Sequence, residues 1–282
     1  MHVRDFRRPY QICFLLSALA LVCGQPQAAS FNDKFAVVVV DTQTEAKLGG
    51  FPSRAALAQL IDRIASGKPK SIVLKYFLDT PGKEPDSTVL AQSIGKTRVI
   101  LQATLNKDPP TSRSLDARFF FKDRIAPFKP LLAGDEGWLP QKRFSDQAAK
   151  VCFADVVKPE QVPMLELFQH RPVESLYACA LAEAFGDGKT RLESHRASFG
   201  KRSLALDDAG EARISLADLA LPISVSARRL LEGEFDTGAF TGKVVILAYT
   251  GSRTPTFNVR GTAIGVHQIF LAQLRELVAS LR

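Results

Sequence analysis

The run FAVVVVD, residues 35–41, opens the patterned part of the chain. A run this short and this rich in valine reads as a strand buried on both faces, since a core helix needs more length. The same signature recurs in SIVLKYFLD (71–79), RVILQATL (98–105) and KVVILAY (243–249). Between the first two runs lies RAALAQLIDRIASG, in which Ala56, Leu57, Leu60, Ile61 and Ile64 recur at helical spacing. Ser53 is placed to cap that helix and Gly67 to end it, while Arg54 falls in the first turn, where the helix dipole disfavours a cation. TQTEAKLGGFPS reads as a turn, and DSTVLAQSIGK as a short helix capped by Asp86 or Ser87. Strand, helix, strand, helix, strand at these separations predicts parallel pairing through right-handed crossovers.

Past residue 105 the pattern loosens. Residues 106–145 mix proline, glycine and charge with Phe119, Phe120, Phe121 and Trp138, more aromatic surface than a linker carries, so they read as an excursion packed on the sheet. AAKVCFADVV and VPMLELFQ read as two further strands. In PVESLYACALAEAFG, Val173, Leu176, Tyr177, Ala180, Leu181, Ala184 and Phe185 trace one face of an amphipathic helix. SLALDDAGEARISL suggests two short strands around a turn, and ISVSARRLLEGEFDTGAFTG a short helix and connector. The last helix has a core stripe of Val266, Ile269, Phe270, Leu274, Leu277, Val278 and Leu281. The fold class that follows is α/β: a mixed, largely parallel sheet flanked by helices, with a β-rich insertion.

The N-terminus changes where this fold is expected to reside. MHVRDFRRPYQ is basic, ICFLLSALALVC is apolar and uncharged, and GQPQAAS supplies small residues for cleavage. That is the layout of a secretory signal peptide, and the apolar run is shorter than the roughly 20 residues a bilayer span needs. Residues 1–29 are therefore expected to be a leader and residues 30–282 a single domain, periplasmic or secreted. The alternative is a protein held at the membrane by an uncleaved leader, its only expected membrane contact. The net charge of +8 is scattered, without a basic run or interleaved aromatics, which argues against nucleic acid as a partner. Cys152 and Cys179 remain after cleavage; an oxidising compartment permits a bridge, but sequence alone leaves bridged and free thiols both open.

Candidate chemistry is sparse. Gly188-Lys189-Thr190 resembles the end of a phosphate loop, but Glu183 stands where the first glycine belongs and a helix precedes it, so it reads as a surface turn. His170, His195 and His267 lie beyond helical reach of one another and no C-x-x-C occurs, so neither a metal nor a cofactor is expected. No G-x-S-x-G is present, which leaves a nucleophile unsupported and an enzyme unexpected. Parallel sheets bind ligands beyond the carboxyl ends of their strands. Asp41, Lys75, Asp79, Thr250 and Ser252 stand at predicted strand ends, with Arg54 and His267 at the starts of two helices. The structural alternative for Lys75 is an ion pair with Asp41 or Asp79; for His267 it is a hydrogen bond that fixes the helix start.

The order of these pieces resembles the CHASE type 2 domain, an extracellular sensory domain of bacterial receptor kinases and nucleotide cyclases. Asp41, Gly49, Phe51-Pro52, Arg54 and Asp86 with Leu90, Ala91 and Ile94 fall in the places of its opening strand, loop and helices. RPVESLYACALAEAFG is similar to its middle helix, and GKVVILAYTG followed by Gly265, Val266 and His267 to its end. Phe51 and Ser53 replace the family's tryptophans, and Lys75 stands where an aspartate is common. The resemblance implies a sensory, ligand-binding role in signal transduction. Family members are generally followed by transmembrane helices and an output domain, whereas this chain stops at Arg282, so it is expected to act as a free-standing domain with an unknown small ligand or an envelope sensor protein as partner. A structural adaptor, or a hydrolase using His267, are the competing readings.

Overall fold

The computed structural model describes residues 30–105, 114–123, 130, 132–156, 158–216 and 219–282; residues 1–29, where a leader is expected, lie outside the described residues. The valine-rich runs form a parallel sheet. Its strands are β1 (Phe35–Val40), β2 (Ser71–Lys75), β3 (Val99–Leu105), β4 (Lys150–Phe153), β5 (Ser224–Ser226) and β6 (Val244–Tyr249). Their spatial order is β5-β1-β6-β2-β3-β4, every neighbouring pair parallel. Gly137–Trp138 adds an antiparallel seventh strand against the end of β3. The last long strand, β6, thus inserts between the first two.

Alternation along each strand divides the core into two layers. Val38, Val40, Ile72, Leu74, Leu101, Leu247 and Tyr249 face one side, under helices α1 (Thr42–Leu48), α2 (Arg54–Ser66), α3 (Asp86–Gly95) and α5 (Ala227–Leu231). Val37, Val39, Val73, Ile100, Ile246 and Ala248 face the other, under α4 (Leu176–Phe185) and α6 (Val266–Ser280). Burial on both faces is why these strands read as continuous apolar runs instead of alternating ones.

Cys152 on β4 and Cys179 on α4 are disulfide-bonded, Cα atoms 6.7 Å apart, which ties the second helical layer to the sheet. The β-rich insertion comprises a meander of Arg191–Glu193, Arg196–Phe199 and Arg202–Ala205, a ladder of Gln161–Pro163 with Glu211–Arg213, and a hairpin of Leu165–Phe168 with Arg171–Glu174. Phe119 and Phe120 join the first core layer, and Phe121 is half-buried beside them; much of the rest of 106–131 lies outside the described residues.

Several local expectations are corrected. The segment after β1 is a helix, α1, because Asp41 caps it and Gly49 closes it at φ 74°, a conformation glycine adopts without strain. Neither Asp86 nor Ser87 caps α3; Pro85 occupies the cap position without a side-chain bond, and Asp86 lies in the first turn. β2 ends at Lys75, and Tyr76 to Asp79 continue as loop. The strands flanking Asp207–Gly210 form but do not pair with each other. Val173 belongs to a strand, and α4 is buried on nine of its ten residues, so the helix is sunk in the core with no polar face. Thr256–Val259 and Thr262–Gly265 form a hairpin where an open loop was expected.

Candidate functional site

The strand order creates a switch point. After β1 and β2 the chain leaves towards α2 and α3 on one face, whereas after β6, which lies between them, it leaves towards α6 on the other. Neighbouring connections that part in this way open a crevice at the carboxyl ends of the strands, the usual ligand position in such sheets. The polar residues of this edge fall into two groups, one on each face.

On the α2 side the centre is Glu45, on α1. Its carboxylate accepts the Tyr249 hydroxyl, the Ser252 backbone N–H at 2.9 Å and the Ser252 hydroxyl at 3.3 Å. These bonds hold the Glu45 carboxyl below the usual carboxylate range, the Tyr249 hydroxyl contributing most. Gly251 packs on the carboxyl, where a Cβ would approach it to 2.6 Å. The Tyr249 ring meets Phe51 edge-on at 4.9 Å and Tyr76 at 6.2 Å. The Tyr76 hydroxyl is buried without a partner, and desolvation lifts it well above the ordinary phenol value. Asp41 accepts the Thr44 N–H at 2.8 Å, the Thr44 hydroxyl at 2.7 Å and the Ser226 hydroxyl at 3.1 Å, which makes it the clamp between α1 and β5. Arg54 donates to the Ser87 hydroxyl at 2.6 Å and to the Thr80 carbonyl, and lies 4.9 Å from the Phe144 ring centre. The charge of Asp79 acts on Arg54, and the Asp79 carbonyl accepts from Gln141 at 3.4 Å. Thr250 donates its N–H to the Val40 carbonyl at 2.9 Å.

The α6 side is built around Lys75. The residue is 5% exposed; its ammonium donates to Gln102 Oε1 at 3.0 Å and lies 4.9 Å from the centre of the Phe270 ring. It forms an ion pair with neither Asp41 nor Asp79, contrary to the structural alternative, because alternation along β2 sends it to the opposite face from Arg54 and Asp79. Burial pulls the Lys75 ammonium down to about 8, opposed only by the more distant Asp155 carboxylate. Gln102 Nε2 and Thr104 Oγ1, on the same face of β3, are buried without hydrogen-bond partners. His267, in the first turn of α6, accepts the Tyr249 N–H on Nδ1 at 3.2 Å, so the neutral ring carries its proton on Nε2. Burial, then the neighbouring Lys75 charge, pull the imidazole down to about 3, which leaves it unionised throughout the neutral range. The Tyr177 hydroxyl donates to Gln273, closing the inner end of the layer.

The strand ends, the switch point and the order of helices make a testable pattern, and the CHASE2 domain model matches residues 14–271. The chain belongs to the CHASE2 domain family. CHASE2 domains are extracellular sensory domains, and the α/β architecture described above is this member's version of the fold. Comparison with curated proteins and with solved structures finds no match.

In this CHASE2 domain the residues singled out from sequence share one edge of the sheet and divide between its faces. Asp41, Arg54, Asp79 and Ser252 lie on the α2 side, Lys75 and His267 on the α6 side. Sequence reasoning missed Glu45, Tyr76, Gln102 and Thr104. The last two were signalled: in VILQATL the only polar residues alternate, which places both on one face of a strand otherwise apolar on both. Nothing marked Glu45 within the polar run TQTEAK. Among the described residues no group of three metal-ligating side chains occurs, and no helix is long and apolar enough to cross a membrane.

Proposed function

We propose that this CHASE2 domain is exported to the periplasm, binds a small molecule at the carboxyl edge of its sheet, and passes that occupancy to a partner receptor in the envelope, with no catalysis of its own. One observation carries the ligand-binding part. Lys75 is a buried cation with a single neutral hydrogen-bond partner, and beside it on β3 stand two unpartnered polar groups, Gln102 Nε2 and Thr104 Oγ1. Buried charges and polar groups are costly unless matched, so a cluster left unmatched at a switch point is where a ligand supplies the missing partners. Binding there would bias two arrangements of β2, β3 and α6, as a sensor requires.

The adaptor reading has its own support. Phe51 and Phe77 are 46% and 38% exposed, and Phe77 meets Trp138 edge-on at 5.1 Å. Exposed aromatics on this rim suit a protein contact. In the integrated reading the rim meets the receptor and the interior meets the ligand. Fractionation, a broad ligand screen by thermal shift, and pull-down from envelope extract test it together. The expected outcome is a processed protein in the periplasmic fraction, at least one stabilising small molecule, and a captured receptor whose yield changes with that molecule. A flat screen with undiminished capture favours the adaptor; turnover of ester, phosphate or glycoside substrates overturns the non-catalytic reading.

A further inference from the structure

Lys75, Gln102 Nε2 and Thr104 Oγ1 share one capacity: each can donate a further hydrogen bond. Lys75 gives one of its three N–H bonds to Gln102. Because Gln102 Oε1 takes that bond, its Nε2 is turned away with both hydrogens unplaced. Thr104 adds a hydroxyl, also buried and unpartnered, one pleat further along β3. A carboxylate presents two oxygens and about four lone-pair sites, the complement of this set.

Charge narrows the class. Lys75 brings one buried positive charge, and among the described residues it forms no ion pair. Asp155, which accepts the Leu105 N–H at 2.7 Å, already acts on Lys75 from beyond the end of β4. A singly charged guest neutralises the site, whereas a dianion such as phosphate would bring a second charge into a buried space that also feels Asp155. The floor is apolar: Phe270 lies under the ammonium, with the Tyr177 ring 4.7 Å from it. Such a floor accepts a short hydrocarbon or 2-oxo tail.

We propose that Lys75, Gln102 and Thr104 form a buried site for a small monocarboxylate, with Phe270 beneath it. This rests on the ligand-binding reading above and names the chemical class of the ligand. The titratable groups around Lys75 are Asp155 beyond β4, His267 on α6 and Tyr177 on α4, with Glu166 fully buried near Tyr177. Lys75, whose ammonium burial pulls down to about 8, changes charge between neutral pH and pH 9, so an entering carboxylate stabilises its ammonium and draws a proton from solvent.

The test is titration calorimetry of the processed domain with acetate, propionate and pyruvate, set against acetamide, inorganic phosphate and a primary amine, in buffers of different ionisation heat. Expected are binding of a monocarboxylate but not of acetamide, proton uptake that grows as pH rises through about 8, and affinity weakened at least about tenfold in Lys75→Met and in Gln102→Leu. Thr104→Val, nearly isosteric, supplies a third variant should Lys75→Met fail to fold, and the proton uptake needs no variant. Equal binding of acetamide, a monocarboxylate bound without proton uptake, or unchanged affinity in the folded variants overturns the proposal. Lys75-dependent binding of phosphate or of the amine alone overturns the carboxylate assignment and leaves the ligand-binding reading standing. No binding of any monocarboxylate overturns the proposal, and silence in the broad screen as well overturns both.

Discussion

The two faces of the sheet's carboxyl edge solve the same problem in opposite ways. On the α2 side a charged group, Glu45, accepts three hydrogen bonds, from the Tyr249 hydroxyl and from the backbone N–H and hydroxyl of Ser252. On the α6 side a charged group, Lys75, is buried with one neutral partner and two idle polar neighbours. A satisfied network fixes a loop: Glu45 holds the turn after β6, as Asp41 holds α1 against β5. An unsatisfied one raises the energy of the empty state, so that a guest of the right chemistry gains more by entering. Polarity at a strand end is therefore an incomplete guide to function; the partners already held by the charged group separate the Glu45 network from the Lys75 cluster, even though the Tyr76 hydroxyl beside Glu45 is also unpartnered.

The largest expected effect tests whether the α6 side is held from outside the cluster. The disulfide joins α4 to Cys152, which stands opposite Gln102 in the sheet register. Closing a loop of 27 residues contributes about 3.5 kcal/mol in the chain-entropy account. Cys152→Ala with Cys179→Ala is expected to lower the unfolding free energy by about that amount in a urea titration. Monocarboxylate affinity should fall as well, since the loosened layer includes α4. Loss of stability with affinity unchanged would mean that the cluster is positioned by β2, β3 and α6 alone.

A smaller effect tests the charge at the centre of the contrast. Lys75 titrates at about 8 in the folded chain against 10.5 for an ordinary lysine. Between these values the unfolded chain binds the extra proton, so stability rises with pH through this window and the penalty for burying the ammonium is largest below it. From neutral pH to about pH 9.5, before tyrosines ionise, the gain is about 2 kcal/mol. Lys75→Met should lose that slope, read by urea titration at several pH values. A wild-type profile that is flat there would mean Lys75 is matched as fully as Glu45, and the contrast between the faces would be gone.

The layers of this fold were legible because burial on two faces writes itself into sequence as FAVVVV and KVVILAY, and the family resemblance rested on the order of such runs. The insertion of β6 between β1 and β2 was not, since parallel strands of similar composition carry no label for their neighbours. Helix α1 was hidden because its stability comes from the Asp41 cap, the Gly49 stop and packing on α5, none of which gives an apolar period. At the site, strand ends could be found but faces could not be compared. Placing Lys75 opposite Arg54 and Asp79 needs the end of β2, and the expected strand ran four residues too far, to Asp79. Glu45 was out of reach for a further reason: its partners lie more than 200 positions away, at Tyr249 and Ser252.

Asp41 offers the smallest and cleanest discrimination, because from sequence it looked as much a ligand residue as Lys75 did. In the structure its carboxylate is used three times within the scaffold: by the Thr44 N–H, the Thr44 hydroxyl and the Ser226 hydroxyl. An N-cap acceptor of this kind is worth about 1 kcal/mol, and Asn replaces Asp at such caps with little loss. Asp41→Ala should therefore lower stability by about 1 kcal/mol and Asp41→Asn by much less. Both should leave ligand affinity untouched, since the Asp41 carboxylate bonds to Thr44 and Ser226 and not to Lys75. If Asp41→Asn folds as the parent does yet loses affinity, the carboxylate charge acts on the guest across the sheet. The division of the edge into a scaffold side and a binding side would then fail at the residue where the two readings differ most plainly.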